Sequence, residues 1–434
     1  LADAARDEPA RRAEDDSARR AVVAVWRIES ARIVATLTRY AGDFALAEDL
    51  AQEALADALV QWPTTGVPRN GAAWLTQVAK RKAIDLWRRQ ERLAERVAAL
   101  GHDLELRQDE AADAVPWDPD EIDDDVLRLV FTACHPSLGE AARVALTLRV
   151  VAGLETTEIA RLLLQPVATV QQRIVRAKRA LADAGMPFEA PPRAERPQRL
   201  RAVLGVVYLL FTEGHAATAG DDWMRPDLSR EAIRLGRMLA ALQPDEPEVH
   251  GLLALMELTA ARFPARVDRH GEPVLLADQD RRRWDRGAIR RGRAALRRAE
   301  SFGRGLGSYA LQAAIAEAHA DASAFDRTDW ARIVAAYEAL ERVAPSPVVT
   351  LNRAVAVSMA DGPGLGPQAA LAIVDGLAGQ RALADSHLLP SVCGELLARL
   401  GRADDARAAF AEAAERTRNE RERAVLLAKA AAGV

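Results

Sequence analysis

TLRVVAGLETTEIARLLLQPVATVQQRIVRAKRAL, residues Thr147–Leu181, decides how the middle of this chain folds. With the residues from Ala141 onward it reads as a helix, a break at Gly153, a short helix Thr157–Leu164, a turn at Gln165–Val167 and a longer helix ending at Leu181. On that last helix Val167, Val170, Ile174, Ala177 and Leu181 recur at three- and four-residue steps, so they form the face that packs inward. Ala168, Thr169, Gln171, Gln172, Arg176 and Arg179 then face outward, with Arg173 and Lys178 at the flanks. Helix, tight turn and outward polar helix make the helix-turn-helix plan. Gln and Arg near the start of the second helix can pair with base edges, and Arg and Lys further along can hold phosphates. A solvated surface helix would carry the same polar face. The coincidence of turn, inward register and cations favours the DNA-reading helix.

Upstream lies a second constellation. Between Leu46 and Trp62, a stretch that includes Ala47–Trp62 (AEDLAQEALADALVQW), an apolar stripe of Leu46, Leu50, Leu55, Leu59 and Trp62 is expected to pack, leaving Asp49, Gln52, Glu53 and Ala56 on a face free to dock. A loop, Pro63–Gly71, separates it from Ala73–Arg89 (AWLTQVAKRKAIDLWRR), where Trp74, Leu75, Val78, Ala79, Ile84 and Trp87 alternate with Lys80, Arg81, Lys82, Arg88 and Arg89. Cations neutralise phosphates and aromatic faces stack unpaired bases, although an isolated amphipathic helix with a solvated basic face would look alike.

Punctuation divides the chain into five parts. Residues 1–17 mix charge and alanine without an apolar stripe and are expected to be a mobile tail; 18–92 form the first helical block. Residues 93–125 carry eleven carboxylates from Asp103 to Asp125 against the single basic Arg107, with Pro116 and Pro119, and read as an acidic linker. The helix-turn-helix block spans 126–186, and Pro187, Pro191, Pro192 and Pro197 introduce a helical extension over 187–434. In the extension, Leu397, Leu400 and Gly401 precede Ala406, Phe410 and Ala413 across a polar turn, the small-large packing of a tetratricopeptide-like helix pair. Weaker alternation appears in Tyr337–Met359 and Glu231–Leu258, and Arg281–Arg304 is densely basic, either a contact for nucleic acid or for the acidic linker, or a solvated helix.

With aromatics at 5% of 434 residues, β-structure is starved and the fold is expected to be all-α. Only Cys134 and Cys393 occur, which argues against a disulfide framework and for a reducing, cytoplasmic setting. The apolar run Val203–Phe211 is too short to span a bilayer, so no membrane partner is expected. A net charge of −4 does not exclude nucleic acid, because local patches govern steering. The seven histidines are scattered without metal-ligand spacing, and neither a phosphate-cradling glycine loop nor a nucleophile elbow is present. The expectation is therefore no metal, no cofactor and no catalysis.

Ala47–Trp62 and Ala73–Arg89, with their spacing, resemble domain two of extracytoplasmic-function (ECF) RNA polymerase sigma factors, and Thr147–Leu181 resembles sigma domain four. The resemblance implies that Asp49, Gln52, Glu53 and Asp57 face core RNA polymerase. It implies that Lys80, Arg81, Asp85, Arg88 and Arg89 line the melted minus-ten element of promoter DNA, with Arg69 and Asn70 as candidates for a flipped base. It assigns Ala168, Thr169, Gln171, Gln172, Arg173, Arg176, Lys178 and Arg179 to the minus-thirty-five duplex, and lets the acidic linker thread the polymerase cleft. Two positions depart from the family. Glu155 stands where Ser or Thr is common, which shifts the N-cap to Thr156 or weakens it, and Gln165 stands where Gly is frequent. The extension resembles that of a sigma group with a C-terminal tetratricopeptide-like domain, whose signature is matched by Asp361, Gly362 and Pro363 with one glycine missing. This implies control of activity by the extension, through an intramolecular contact with the sigma domains or the linker. A helix-turn-helix regulator with a helical sensor, independent of polymerase, is the other reading.

Overall fold

Ala, Leu, Arg and Glu are strong helix formers, and helices are what the chain builds. The structure, a computed structural model, describes residues 4–98, 119–163, 165–184, 188, 191–192, 195–215, 224, 226–269, 272–380, 383–384, 386–417 and 420–432. Among these residues there are eighteen α-helices, a few 3₁₀ turns and one isolated bridge, Val267 to Pro273. The chain divides into two compact units, Leu1–Val206 and Val207–Val434.

In the first unit α1 (Ala4–Ala41), α2 (Phe44–Thr65) and α3 (Gly71–Ala98) pack on one another. Their core is Val22, Trp26, Ile33, Val34 and Leu37 from α1, Leu50, Ala51, Ala54, Ala58 and Trp62 from α2, and Leu75, Ala79 and Ala83 from α3. The stripe read for α2 is therefore rotated: alanines supply much of the buried face and Leu59 remains 37% exposed. Small side chains let the helix axes approach, and packing density decides over side-chain size. Asp43 starts α2 by accepting the Leu46 amide at 2.9 Å.

Three further expectations change here. Residues 4–17 do not form a tail but the first turns of α1, since alanine and arginine sustain a helix that packing further along has nucleated. Of the acidic linker, residues 93–98 continue α3 and 119–125 open α4 (Pro119–Ala133), with Pro119 at a helix start where its missing N–H costs nothing; residues 99–118, which hold Asp103 to Asp118, lie outside the described residues. Asp125 is fully buried, bonded to Arg39 of α1 at 3.1 Å and Arg128 at 2.5 Å, and so belongs to the packed body.

Helices α5 (Glu140–Val150), α6 (Thr156–Leu162) and α7 (Val167–Asp183) complete the unit before α8 (Arg196–His215). Leu146, Leu148, Leu154, Ile159, Val170, Ile174, Ala177 and Leu181 are buried among them.

The second unit runs through α9 (Pro226–Leu242), α10 (Pro247–Ala260), α11 (Arg286–Ser301), α12 (Ser308–Asp321), α13 (Trp330–Val343), α14 (Pro347–Met359), α15 (Pro367–Asp375), α16 (Leu388–Arg399), α17 (Ala403–Arg416) and α18 (Glu420–Ala432). Helices adjacent in sequence pack on each other around two apolar clusters, one centred on Leu258, Trp284 and Leu296, the other on Ile333, Leu351, Leu396 and Phe410. In the pair α16–α17 the Phe410 ring lies against Gly394, where an added Cβ would meet the ring at 2.7 Å. Glu257, 2% exposed, ties α10 to Arg237 of α9 and Arg291 of α11. The basic stretch is thus divided: Arg281 is buried and donates to the Ala322 carbonyl at 2.9 Å, Arg291, Arg293 and Arg298 are ion-paired, and Arg283, Arg286, Arg290 and Arg297 point to solvent. Asp361, Gly362 and Pro363 sit in the exposed loop between α14 and α15. No helix among the described residues is long and apolar enough to cross a membrane.

Candidate nucleic-acid interface

The break before α6 is built by Gly153, whose φ of +70° suits glycine, and an added Cβ there would come within 2.3 Å of the Ser30 hydroxyl of α1. The N-cap of α6 stays at Glu155: its backbone is extended and its N–H donates to the Glu158 carboxylate at 2.9 Å, the return half of a capping box. The Glu155 carboxylate takes the place of the usual cap hydroxyl by accepting the Glu158 amide, so no shift to Thr156 occurs.

On α7, Val170, Ile174, Ala177 and Leu181 face the core as read, but Val167 is 44% exposed, because Pro166 and Val167 lie at the helix start before the register engages. Ala168, Thr169, Gln171, Gln172, Arg176 and Arg179 are exposed together, and Arg173 and Lys178 are half-buried beside them. Thr169, Gln172, Arg173 and Arg176 line a groove against Ser137, Leu138 and Gly139, which precede α5. Arg179 meets Asp183 at 3.7 Å, whereas Arg173 and Arg176 form no ion pair among the described residues.

On α3 the exposed Arg81, Asp85, Arg88 and Arg89 recur at helical spacing along one stripe. Lys80 sits 5.3 Å over the Tyr40 ring, which stacks at a tilt on Trp87, and partial burial together with Arg39 lowers its pKa. Lys80 is thus partly a packing residue. Arg69 is exposed in the loop before α3, while Asn70 accepts the Ala73 amide at 3.0 Å and so caps α3. The Asn70 side-chain oxygen is committed to the fold.

The acidic face of α2 is present but not bare. Asp49 and Glu53 are exposed and Gln52 and Asp57 half-buried. Lys82 of α3 reaches Glu53 at 3.3 Å and Asp57 at 3.0 Å, and these carboxylates raise its pKa. Asp49 is 3.0 Å from Lys178 of α7. Glu48, 3% exposed, accepts from Arg149 of α5 at 3.0 Å and from Lys178. Sequence reasoning missed Glu48 and Arg149. The available signals were a carboxylate flanked by the buried Ala47 and Leu50, and an arginine inside the apolar run TLRVV. Two cations answering one buried carboxylate satisfy a charge that burial alone would forbid.

No group of His, Cys, Asp or Glu among the described residues is arranged to hold a metal ion. Burial pushes the Cys134 thiol up to about 11, leaving it hydrogen-bonded to Thr147 at 3.3 Å rather than poised as a nucleophile.

Comparison with known proteins follows this layout. Residues 27–93 match the family model of sigma-70 region 2, residues 128–181 that of sigma-70 region 4, and residues 199–300 a family of unknown function, DUF6596. An uncharacterized protein of Rhizobium meliloti (strain 1021) is 46% identical over 391 residues, 90% of this chain and 90% of that protein. A protein named as a probable ECF RNA polymerase sigma factor, SigI, in Mycobacterium tuberculosis strains CDC 1551 / Oshkosh and H37Rv, is 29% identical over 179 residues, 40% of this chain and 59% of the relative. No solved structure matches the chain. Along nearly its whole length the chain belongs to one family with the Rhizobium protein, and its sigma-70 regions 2 and 4, its large helical extension and its more distant likeness to SigI fit an ECF sigma factor with a C-terminal extension.

Proposed function

We propose that this sigma factor binds core RNA polymerase through the α2 face bearing Asp49, Gln52, Glu53 and Asp57, and directs promoter-specific initiation through two separate DNA-reading helices. On α3, Arg81, Asp85, Arg88 and Arg89, with Lys80 and the neighbouring Arg69 and Asn70, engage the melted strand. On α7, Ala168, Thr169, Gln171, Gln172, Arg173, Arg176, Lys178 and Arg179 read duplex. The observation that carries the reading is the pairing of two exposed cationic helices with different chemistry. The α3 helix sets aromatics among its cations, as an unpaired strand needs, and α7 presents adjacent glutamines and arginines at the start of a recognition helix, as base edges need. A regulator independent of polymerase would have no use for region 2.

The C-terminal unit modulates this activity, and its tetratricopeptide-like helix pairs provide the scaffold. We assign the exposed Arg283, Arg286, Arg290 and Arg297 to a contact with the acidic segment around residues 103–118, and the Asp361–Pro363 loop to the same regulation. Run-off transcription with sigma-free core polymerase tests both levels. The full chain supports transcripts, and a chain ending near Pro191 gives a different yield. Equal yields with and without the extension refute the modulation, and cross-linking that never joins α11 to the acidic segment refutes that contact.

A further inference from the structure

Where the second unit brings together the end of α10, the 3₁₀ turn Arg281–Arg283 and the end of α12, positive charge gathers out of water. The Asp285 amide donates to the Ala261 carbonyl at 2.8 Å and so pins the turn to α10. Trp284, buried, is then flanked by two guanidiniums, Arg281 at 4.8 Å and Arg262 at 5.7 Å from its ring. Arg281 donates to the carbonyls of His319 and Ala322, and Arg266, also buried, donates to the His215 carbonyl at 2.7 Å. His319 closes the group from α12, its ring edge to face with Trp330 at 5.3 Å.

Elsewhere in this unit buried charge is answered, as Glu257 is by Arg237 and Arg291. Among the described residues Arg262 forms no ion pair, and Asp326 acts on Arg281 only from beyond ion-pair distance. Three nitrogens of the group are shut off from water without a hydrogen-bond partner among the described residues: Arg262 Nε, Trp284 Nε1 and His319 Nδ1. Burial first, and neighbouring arginines second, pull Arg262 down to about 10 and Arg266 to about 9. Both remain charged at pH 7, so the cost of holding them stays with the fold.

We propose that this cluster is a binding site for a small phosphate, free or as the terminal group of a phosphomonoester, with Arg262 and Arg281 as counter-charges and the N–H groups of Trp284 and His319 as further donors. Charge selects the anion: two guanidiniums, with Arg266 behind them, match a dianion and overcompensate a single carboxylate. An indole N–H only donates, and a neutral imidazole can place its proton on Nδ1, so both unpartnered nitrogens suit an oxyanion. Arg262 is half-buried, which leaves an approach from solvent, and the burial of its neighbours limits screening by salt. The site lies wholly in the extension and is independent of the sigma reading.

The test is calorimetric titration of the full chain with inorganic phosphate, from phosphate-free buffer at fixed ionic strength, repeated with phenyl phosphate and with acetate. One-to-one phosphate binding is expected, at least tenfold tighter than acetate and weakened at least tenfold by Arg262→Met. Arg342→Gln, which removes an exposed cation of α13, leaves it unchanged. Phenyl phosphate binding as tightly as inorganic phosphate identifies a phosphomonoester as the occupant, and tenfold weaker binding identifies free phosphate. Thermal unfolding separates a ligand site from a structural prop. Without phosphate, Arg262→Met melts no lower than the parent, because it removes a buried charge that no carboxylate offsets and keeps an apolar stem. Absence of saturable phosphate binding by the parent overturns the site, as does binding that Arg262→Met leaves intact or acetate that matches phosphate. A lower melting point of Arg262→Met in phosphate-free buffer also overturns it, since the arginine would then serve the fold alone.

Discussion

Replacing Asp125 by alanine should loosen the join between α1 and α4 without altering any DNA-facing residue. The carboxylate is 0% exposed and bonded to Arg39 at 3.1 Å and Arg128 at 2.5 Å. The hydrogen bond from Arg128 is of the kind that contributes about 1.5–3 kcal/mol, and the Arg39 ion pair adds to it. The two arginine side chains keep 34% and 29% exposure, so on loss of their partner water recovers part of that contribution. A net cost of about 2–3 kcal/mol remains, equivalent to a roughly 30- to 150-fold increase in local opening. Native-state hydrogen exchange with peptide resolution measures this directly: amides of α4 and of the C-terminal half of α1 should exchange faster by that factor, while α12–α14 are unaffected. Arg128→Met, which removes one pair and leaves the other, should show a smaller change. Unaltered exchange in α4 of the Asp125→Ala chain would refute the placement of this residue in the core and return it to the acidic linker.

Three other perturbations have definite outcomes. Gly153→Ala should cost about 2 kcal/mol through the left-handed backbone alone, with a further penalty from the Ser30 hydroxyl, and should be read as faster exchange across α5 and α6. Arg176→Ala should weaken duplex promoter binding across sequences and reduce the slope of log K against log salt by about one, whereas an unchanged slope would remove Arg176 from the phosphate contacts. Burial, with Arg262 and Arg281 nearby, depresses His319 from 6.5 to about 4. The unfolded chain therefore binds the proton more readily than the folded one, so the contribution is complete above pH 6.5 and is lost as pH falls toward 4, by up to about 3 kcal/mol. Thermal unfolding of the second unit should show that loss between pH 6.5 and 4, and His319→Gln should flatten it.

Much of this was legible in the residues. The helix-turn-helix could be read because Val170, Ile174, Ala177 and Leu181 carry the 3.6-residue period and Gly153 marks the break, and these are local signals. The α3 cations and the outward face of α7 follow from the same periodicity. On α2, by contrast, the large leucines suggested one register and the alanines took another, because close helix approach rewards small side chains and only the partners of α2 reveal that. Glu48 illustrates the same limit: its burial is acceptable solely because Arg149 and Lys178, over a hundred positions away, come to meet it. Asn70 looked wholly available to DNA, yet its side-chain oxygen caps α3 and only its amide NH2 is left to offer, and Asp125 looked like one linker carboxylate among many until Arg39 closed on it. Charge in a sequence states what a residue carries. Its partner across the fold decides whether that charge is offered to another molecule.

The central claim is that the acidic face of α2 grips RNA polymerase, and a direct titration of the full chain with sigma-free core enzyme tests it most plainly. Saturable one-to-one binding, weakened by Glu53→Arg and Asp57→Arg, is the predicted result. Absence of any association with core at concentrations that saturate a known sigma factor would contradict it.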